Sequence, residues 1–408
     1  MRKFLRRCLG LALCAAALFC GCLGYLYSRL PSTFMVPAGQ ALTLAQMPWL
    51  VPLQQSGAAA AEAEAVPAGS SYNTTLSLFG KVPVKTVRAV VVDRRAVTVC
   101  GTPFGIKMFS DGAMVVGFTD LRTANGYANP AKAAGLKMGD LLISVDGQKT
   151  TGNDDVSAAI QSSGGRPVEV VYSRDGQRRT TTLQPVQDAD SAAWHAGMWV
   201  RDSSAGIGTL TFVDNSIGVY GGLGHSISDA DTGQSITLLS GEIAPVTITG
   251  YVAGTAGTPG ELKGRFTGEL AMGDIVINGG TGVYGHIRTV LKGQDMTVAQ
   301  AQEVRQGPAQ ILTTIGGGEP AWYDVEIERL SLTEEDPNRN MVLHVTDQGL
   351  LEKTGGIVQG MSGSPVVQDG RLVGAVTHVL VNDPTRGFGI FAENMLASAD
   401  TAAAQKAA

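Results

Sequence analysis

Apolar residues run without a charge from Cys8 to Tyr27, directly after Arg2, Lys3, Arg6 and Arg7. Such a run is about long enough to cross a bilayer as one helix. Basic residues before it predict a cytosolic N-terminus and an exported body. A removable signal peptide has a shorter core and a small-x-small site. No good site follows here, so residues 1–28 are expected to persist as an anchor, and Phe19 sits badly for a lipoprotein cysteine at Cys20 or Cys22. Residues 29–75 read as a flexible tether, because Ser56 to Ser71 is mostly Ala, Gly, Ser and Glu and lacks core-forming side chains. Alternation returns at Val82–Val92, so residues 76–100 are expected to be a connector containing strand.

Residues 101–188 carry a second pattern. Gly105–Met108 and Ala113–Gly117 read as strands. Asn129 to Leu136 reads as a short helix with Pro130 just inside its start, and Met138 to Gly147 as a strand entering a turn. Asn153 is expected to cap a helix reaching about Ser162. Val168–Tyr172 and Thr180–Leu183 flank an Arg174-Asp175-Gly176-Gln177 hairpin turn. The run PAKAAGLKMGDLLISVDGQ resembles PDZ domains of bacterial envelope proteases, which bind an extended peptide by adding it to a sheet as a strand. A small α+β spacer that binds nothing is the alternative.

From Met198 to Glu393 the chain turns to short strands and glycine turns, with one helix expected near Thr297–Gln306. Gly218-Val219-Tyr220-Gly221 is echoed by Gly282-Val283-Tyr284-Gly285, which two related β-units in tandem would explain. The composition agrees: 53 glycines and 44% hydrophobic residues in 408, more glycine than the usual about 7%. The formal net charge of −5, with 16% charged residues, excludes a polybasic nucleic-acid binder. Of five cysteines only Cys100 lies beyond the apolar segment. No disulfide can therefore form within the exported part, and no Cys/His spacing suits a metal.

Candidate chemistry concentrates in Gly356-Ile357-Val358-Gln359-Gly360-Met361-Ser362-Gly363-Ser364-Pro365. A serine in a glycine-flanked turn exposes its hydroxyl, and glycine lets backbone N–H groups converge on one site. The N–H groups from Gly360 to Ser362 are the candidate oxyanion donors. The hairpin expected after this loop, Val366–Gln368, Asp369-Gly370 and Arg371–Thr377, resembles the nucleophile loop of chymotrypsin-like peptidases, with Ser362 at the nucleophile position and Ser364 as its neighbour. There are five histidines. His225, in a strand-end context upstream of the serine, is the preferred base. His286 competes through the echo, and His378 reads as a packed core or rim residue. For the acid, spacing favours Asp274 among Asp229, Asp274 and Asp347, while Lys353 offers a Ser–Lys dyad.

Together with TLSLFGKVPVKTV, VRDSSAGIGTLTF, GGLGHSISD, RQGPAQILTTI and TDQGLLEKTGGIVQGMSGSPVVQDGRLVGAVTHVLVNDPTRGFGIF, these motifs resemble the stage IV sporulation protein B family over residues 74–397. These are sporulation signalling serine peptidases of endospore-forming Firmicutes. The resemblance implies a His225, Asp347, Ser362 triad, so it prefers Asp347 over the spacing argument, with Gly360 and Ser362 N–H groups as oxyanion hole. It implies no metal and no organic cofactor. It implies export into the space between the forespore membranes, self-cleavage near the N-terminus, and cleavage of a membrane-embedded regulator of an intramembrane protease. The expected architecture is a transmembrane helix, an α+β PDZ-like domain over 101–188 binding a peptide in cis or in trans, and a mostly-β double-barrel peptidase domain over 189–408. A catalytically silent, membrane-anchored PDZ adaptor is the rival. Self-processing is expected within residues 54–75, where extending the chain disrupts little structure.

Overall fold

The computed structural model describes residues 2–53, 66–229, 231–236, 238–268 and 270–405. Arg2–Arg29 is one helix, and its Leu9–Arg29 segment, with mean hydropathy 2.1 and none of it buried, is long and apolar enough to cross a membrane.

The tether reading fails for the residues on either side of its centre. Thr33–Pro37, Val82–Val92, Ser71–Leu78 and Leu50–Pro52 form a four-stranded sheet in that order. Thr33–Pro37 pairs in parallel with Arg88–Val92, and Leu50–Pro52 pairs with Leu76–Leu78. Leu30, Phe34, Leu42, Leu44, Leu50 and Leu76 make its core. Sparse apolar residues on both sides of the polar run suffice because they pool into one layer against the regular strand Val82–Val92. The low-complexity centre of the tether, residues 54–65, lies outside the described residues.

Two all-β bodies follow. Gly307–Thr313, Ala321–Leu330, Met341–Val345, Asp383–Phe391, Arg371–Leu380 and Pro365–Gln368 close into a six-stranded barrel. It is filled by Ile311, Ile327, Leu343, Val366 and Val376, among others. The larger sheet packs around Phe104, Met108, Leu210, Tyr220, Ile243 and Val283. The arrangement is that of a chymotrypsin-like peptidase.

The domains are not strung in the expected linear order. Ala96–Val99 pairs with Phe212–Val213 and with Gln294–Thr297, so the peptidase body begins before the PDZ segment. The two expected strands at 105–117 are one strand, Pro103–Phe118, paired with Met198–Asp214 from Pro103 opposite Thr209 to Phe118 opposite Met198. The PDZ unit is thus inserted at the far end of a ribbon rooted in the peptidase.

Within that unit the expected elements form. Asn129 caps Pro130–Ala133 through a bond from Lys132 N. Asn153–Ser162 is a helix, but Asn153 is its first residue rather than its cap: Gly152 holds the cap position, with no side-chain cap bond. Asp175 and Gly176 take positive φ between Val168–Arg174 and Gln177–Leu183, as a tight hairpin requires.

Two other expectations are corrected. The echoed tetrapeptides are not tandem units but antiparallel neighbours, Tyr220 opposite Gly285 and Gly221 opposite Tyr284. Instead of a helix over 297–306 there is one 3-10 turn, Ala301–Glu303. Thr297 is held by Ala96 as strand and Val298 bridges to Leu372, so tertiary pairing overrides the local preference. The longer helix of this body is Ala392–Ala404, burying Ala392, Met395, Leu396, Ala399 and Ala402 on one face, as helical periodicity dictates.

Candidate active site

The serine loop is fastened between the two β bodies. Thr209 N donates to Ser362 O at 2.9 Å, Thr209 Oγ1 to Gly360 O at 2.9 Å, and Thr211 Oγ1 to Gly363 O at 2.7 Å. From the barrel side, Gly363 N donates to Val376 O and Val376 N to Ser364 O. Gly363 has φ +93°, and a Cβ there would lie 1.9 Å from Thr209 O and 2.5 Å from Leu223 N. No other residue fits so close to two backbones. The two serines separate cleanly. Ser364 is fully buried and its hydroxyl donates to Met361 O, bracing the turn. Ser362 is half-buried, and its hydroxyl donates to the carbonyl of Thr377 at 2.6 Å. Among the described residues, the N–H groups of Gly360 and Ser362 donate no hydrogen bond.

His225 arrives from the other body. The strand Val219–Gly222 ends in Leu223 and Gly224, both at positive φ. Gly224 packs so tightly that a Cβ would lie 2.8 Å from Thr377 Cγ2. This turn brings the half-buried His225 ring against His378, with centroids 4.5 Å apart and planes tilted by 33°. His378 directly follows the residue whose carbonyl receives the Ser362 hydroxyl. Burial pushes the His225 imidazole below its ordinary pKa, partly offset by the hydrogen bond to Ser226 O. That bond spans 2.8 Å from Nδ1. The carbonyl can only accept, so Nδ1 carries the proton and Nε2 keeps its lone pair in neutral His225. This is the tautomer a general base needs.

The acid candidates lie elsewhere. Asp347 caps the helix Gln348–Thr354 by accepting from Leu350 N at 2.8 Å, and its own N–H donates to Asp324 O. Asp274 pairs with the competitor histidine: it accepts from His286 N at 2.7 Å and its Oδ1 lies 3.3 Å from His286 Nδ1. Asp229 is buried beside Arg201, 2.8 Å away, and receives Asp231 N and Thr232 N. Lys353 is exposed on its helix. Among the described residues no hydrogen bond or ion pair joins any of these groups to His225 or Ser362. The structure therefore gathers Ser362, His225 and, unexpectedly, His378, and it leaves Asp347 as a helix cap.

The sequence signal reaches only to Thr377, because Gln368 opposite Arg371 across the Asp369-Gly370 turn, continued evenly, sets Ser362 opposite Thr377. Pro365 stands opposite Ala375 and Val366 opposite Gly374. This register follows a one-residue shift between Val366 and Val367, which the residue types do not announce.

The fold joins a PDZ unit to a chymotrypsin-like β body. The model of the SpoIVB peptidase S55 family matches residues 192–396, just over half of the chain, and a PDZ domain model matches residues 128–174. The chain belongs to the SpoIVB peptidase S55 family. Curated relatives include proteins named as zinc metalloproteases of Bartonella henselae, 35% identical over 88 residues, and of Clostridium perfringens, 31% identical over 87. Each match covers 21% of this chain, and the chain spans 24% and 26% of those relatives. Among solved structures, it is similar to a protease of M. tuberculosis in its active form, at 15% identity over 50% of this chain and 76% of that one, TM-score 0.32. It is also similar to the PDZ domain of the SdrC-like protein of Listeria monocytogenes, at 19% identity over 22% of this chain and 87% of that one, TM-score 0.18.

Proposed function

We propose that this chain is a membrane-anchored serine endopeptidase in which Ser362 attacks the peptide carbonyl and His225 takes its proton. The observation that carries this reading is the convergence of the half-buried Ser362 hydroxyl, tied to Thr377, and a His225 ring seated against the next residue. For reaction the hydroxyl swings from the Thr377 carbonyl toward Nε2 of His225, since catalytic hydrogen bonds often tighten only with substrate bound. The undonated N–H groups of Gly360 and Ser362 receive the oxyanion, each worth roughly 3–4 kcal/mol in such sites. His225 then passes the proton to the leaving amine, and water resolves the acyl-enzyme through the same base. Asp347 is the acidic member implied by the family. In this conformation it serves the site through the helix it caps, which runs directly into Gly355, Gly356 and the serine loop.

The substrate class follows from the architecture: an extended polypeptide presented near a membrane, with the PDZ unit holding a peptide in cis or in trans. A membrane-associated regulator, cut during signalling across the forespore envelope, is the substrate that family membership favours. The chain itself is the first substrate. Residues 66–70 are irregular and precede the strand Ser71–Leu78, so the cut is expected between residues 54 and 70. Ser71 onward is paired with Val82–Val90 and is a poor substrate for an extended-chain site. Full-length protein should accumulate a shorter form whose new N-terminus lies in this window, and Ser362→Ala should not. Equal truncation of both, or a terminus inside the PDZ unit, overturns the reading.

A further inference from the structure

We propose that His378 is a positioning residue of the active site, its imidazole face forming the wall that holds the His225 ring while His225 takes the serine proton. The inference rests on Ser362 and His225 being nucleophile and base. Three independent features converge on it. The rings are stacked at 4.5 Å with a 33° tilt. The backbone of the neighbouring Thr377 holds the serine hydroxyl. His378 Nδ1 is buried with no hydrogen-bond partner among the described residues, so no bond at that nitrogen turns the ring away from the stack.

Charge completes the argument. The groups facing His378 are His225, Arg339 and Asp336. Burial, then His225 and Arg339, push its pKa down to about 4 against a weaker upward pull from Asp336. His378 is therefore neutral well above about pH 4. A neutral aromatic face attracts the imidazolium that forms as the proton moves, whereas a charged neighbour would repel it. The wall also keeps water off His225, whose pKa is lowered chiefly by burial.

The test compares His378→Leu, which fills the space without a flat face, with His378→Phe, which restores the face without nitrogens. His378→Leu should lower kcat by about tenfold or more, a size typical of impaired general-base catalysis, with KM little changed. Burial of His225 persists beside Leu while its imidazolium loses a stabilising face, so the acidic limb of the pH profile should move further down, and His378→Phe should recover both properties. Thermal melts of each variant exclude unfolding as the cause of lost activity. Wild-type kcat and limb in folded His378→Leu overturn the proposal, and so does a folded His378→Phe as inactive as His225→Ala. Activity retained in His225→Ala is a different failure, that of the base assignment itself.

Discussion

The Ser362 hydroxyl donates its proton to the carbonyl of Thr377 across 2.6 Å, not to His225. The proposed nucleophile is thus held at the junction of the two β bodies, its hydroxyl hydrogen-bonded to a backbone acceptor one residue from the His225 stack. In the proposed mechanism the serine side chain rotates toward His225 while the backbone around it stays pinned by Thr209 and Thr211 on one side and Val376 on the other.

The pH dependence follows from the buried base. His225 must be neutral to accept the serine proton, and burial lowers its pKa from 6.5. The acidic limb of kcat/KM should therefore lie below pH 6.5, and a limb above it would contradict the assignment. Stability has a related sign. His378 carries a folded pKa of about 4 against an ordinary 6.5, so the unfolded chain binds its proton first. Its contribution is complete above about pH 6.5 and is lost as pH falls toward about 4, measurable as a falling Tm.

Asp347 can be tested by separating its two capacities. As an N-cap it accepts from Leu350 N, and Ser or Asn does this nearly as well, whereas Ala costs about 1 kcal/mol. Asp347→Ser and Asp347→Asn should keep most activity, and Asp347→Ala should lose more through a loosened helix ahead of the serine loop. If Ser and Asn prove as inactive as Ala while remaining folded, the carboxylate itself reaches His225 in the working enzyme.

Self-cleavage should nick the chain without freeing it. Thr33–Pro37 and Leu50–Pro52 lie before the expected cut, yet both pair with strands that lie after it. Gln302 of the peptidase body also donates to Met35 O and accepts from Ala45 N. The fragment carrying the apolar helix should comigrate with the body in native size-exclusion chromatography and separate in denaturant. Release without denaturant would show that the small sheet does not persist after cleavage.

Local rules made the PDZ elements and the serine hairpin legible. The Asn129 cap, the Asp175-Gly176 turn and the Asp369-Gly370 turn each depend on a few neighbouring residues, and positive φ at Asp369 and Gly370 matches the residue types present. Failures came where partners are distant in sequence. Thr33–Pro37 is strand only because Arg88–Val92 lies beside it, and Thr297 because of Ala96. The insertion of the PDZ unit into a peptidase ribbon was hidden for the same reason. His378 lies in an apolar strand that reads as core, and its neighbour His225 is distant in sequence.

The most direct test of the account is covalent labelling of folded protein with a fluorophosphonate, followed by peptide mapping. Wild type should carry the label on Ser362, Ser362→Ala should carry none, and His225→Ala should label far more slowly. Label on Ser364, or undiminished labelling in Ser362→Ala or His225→Ala, would contradict it.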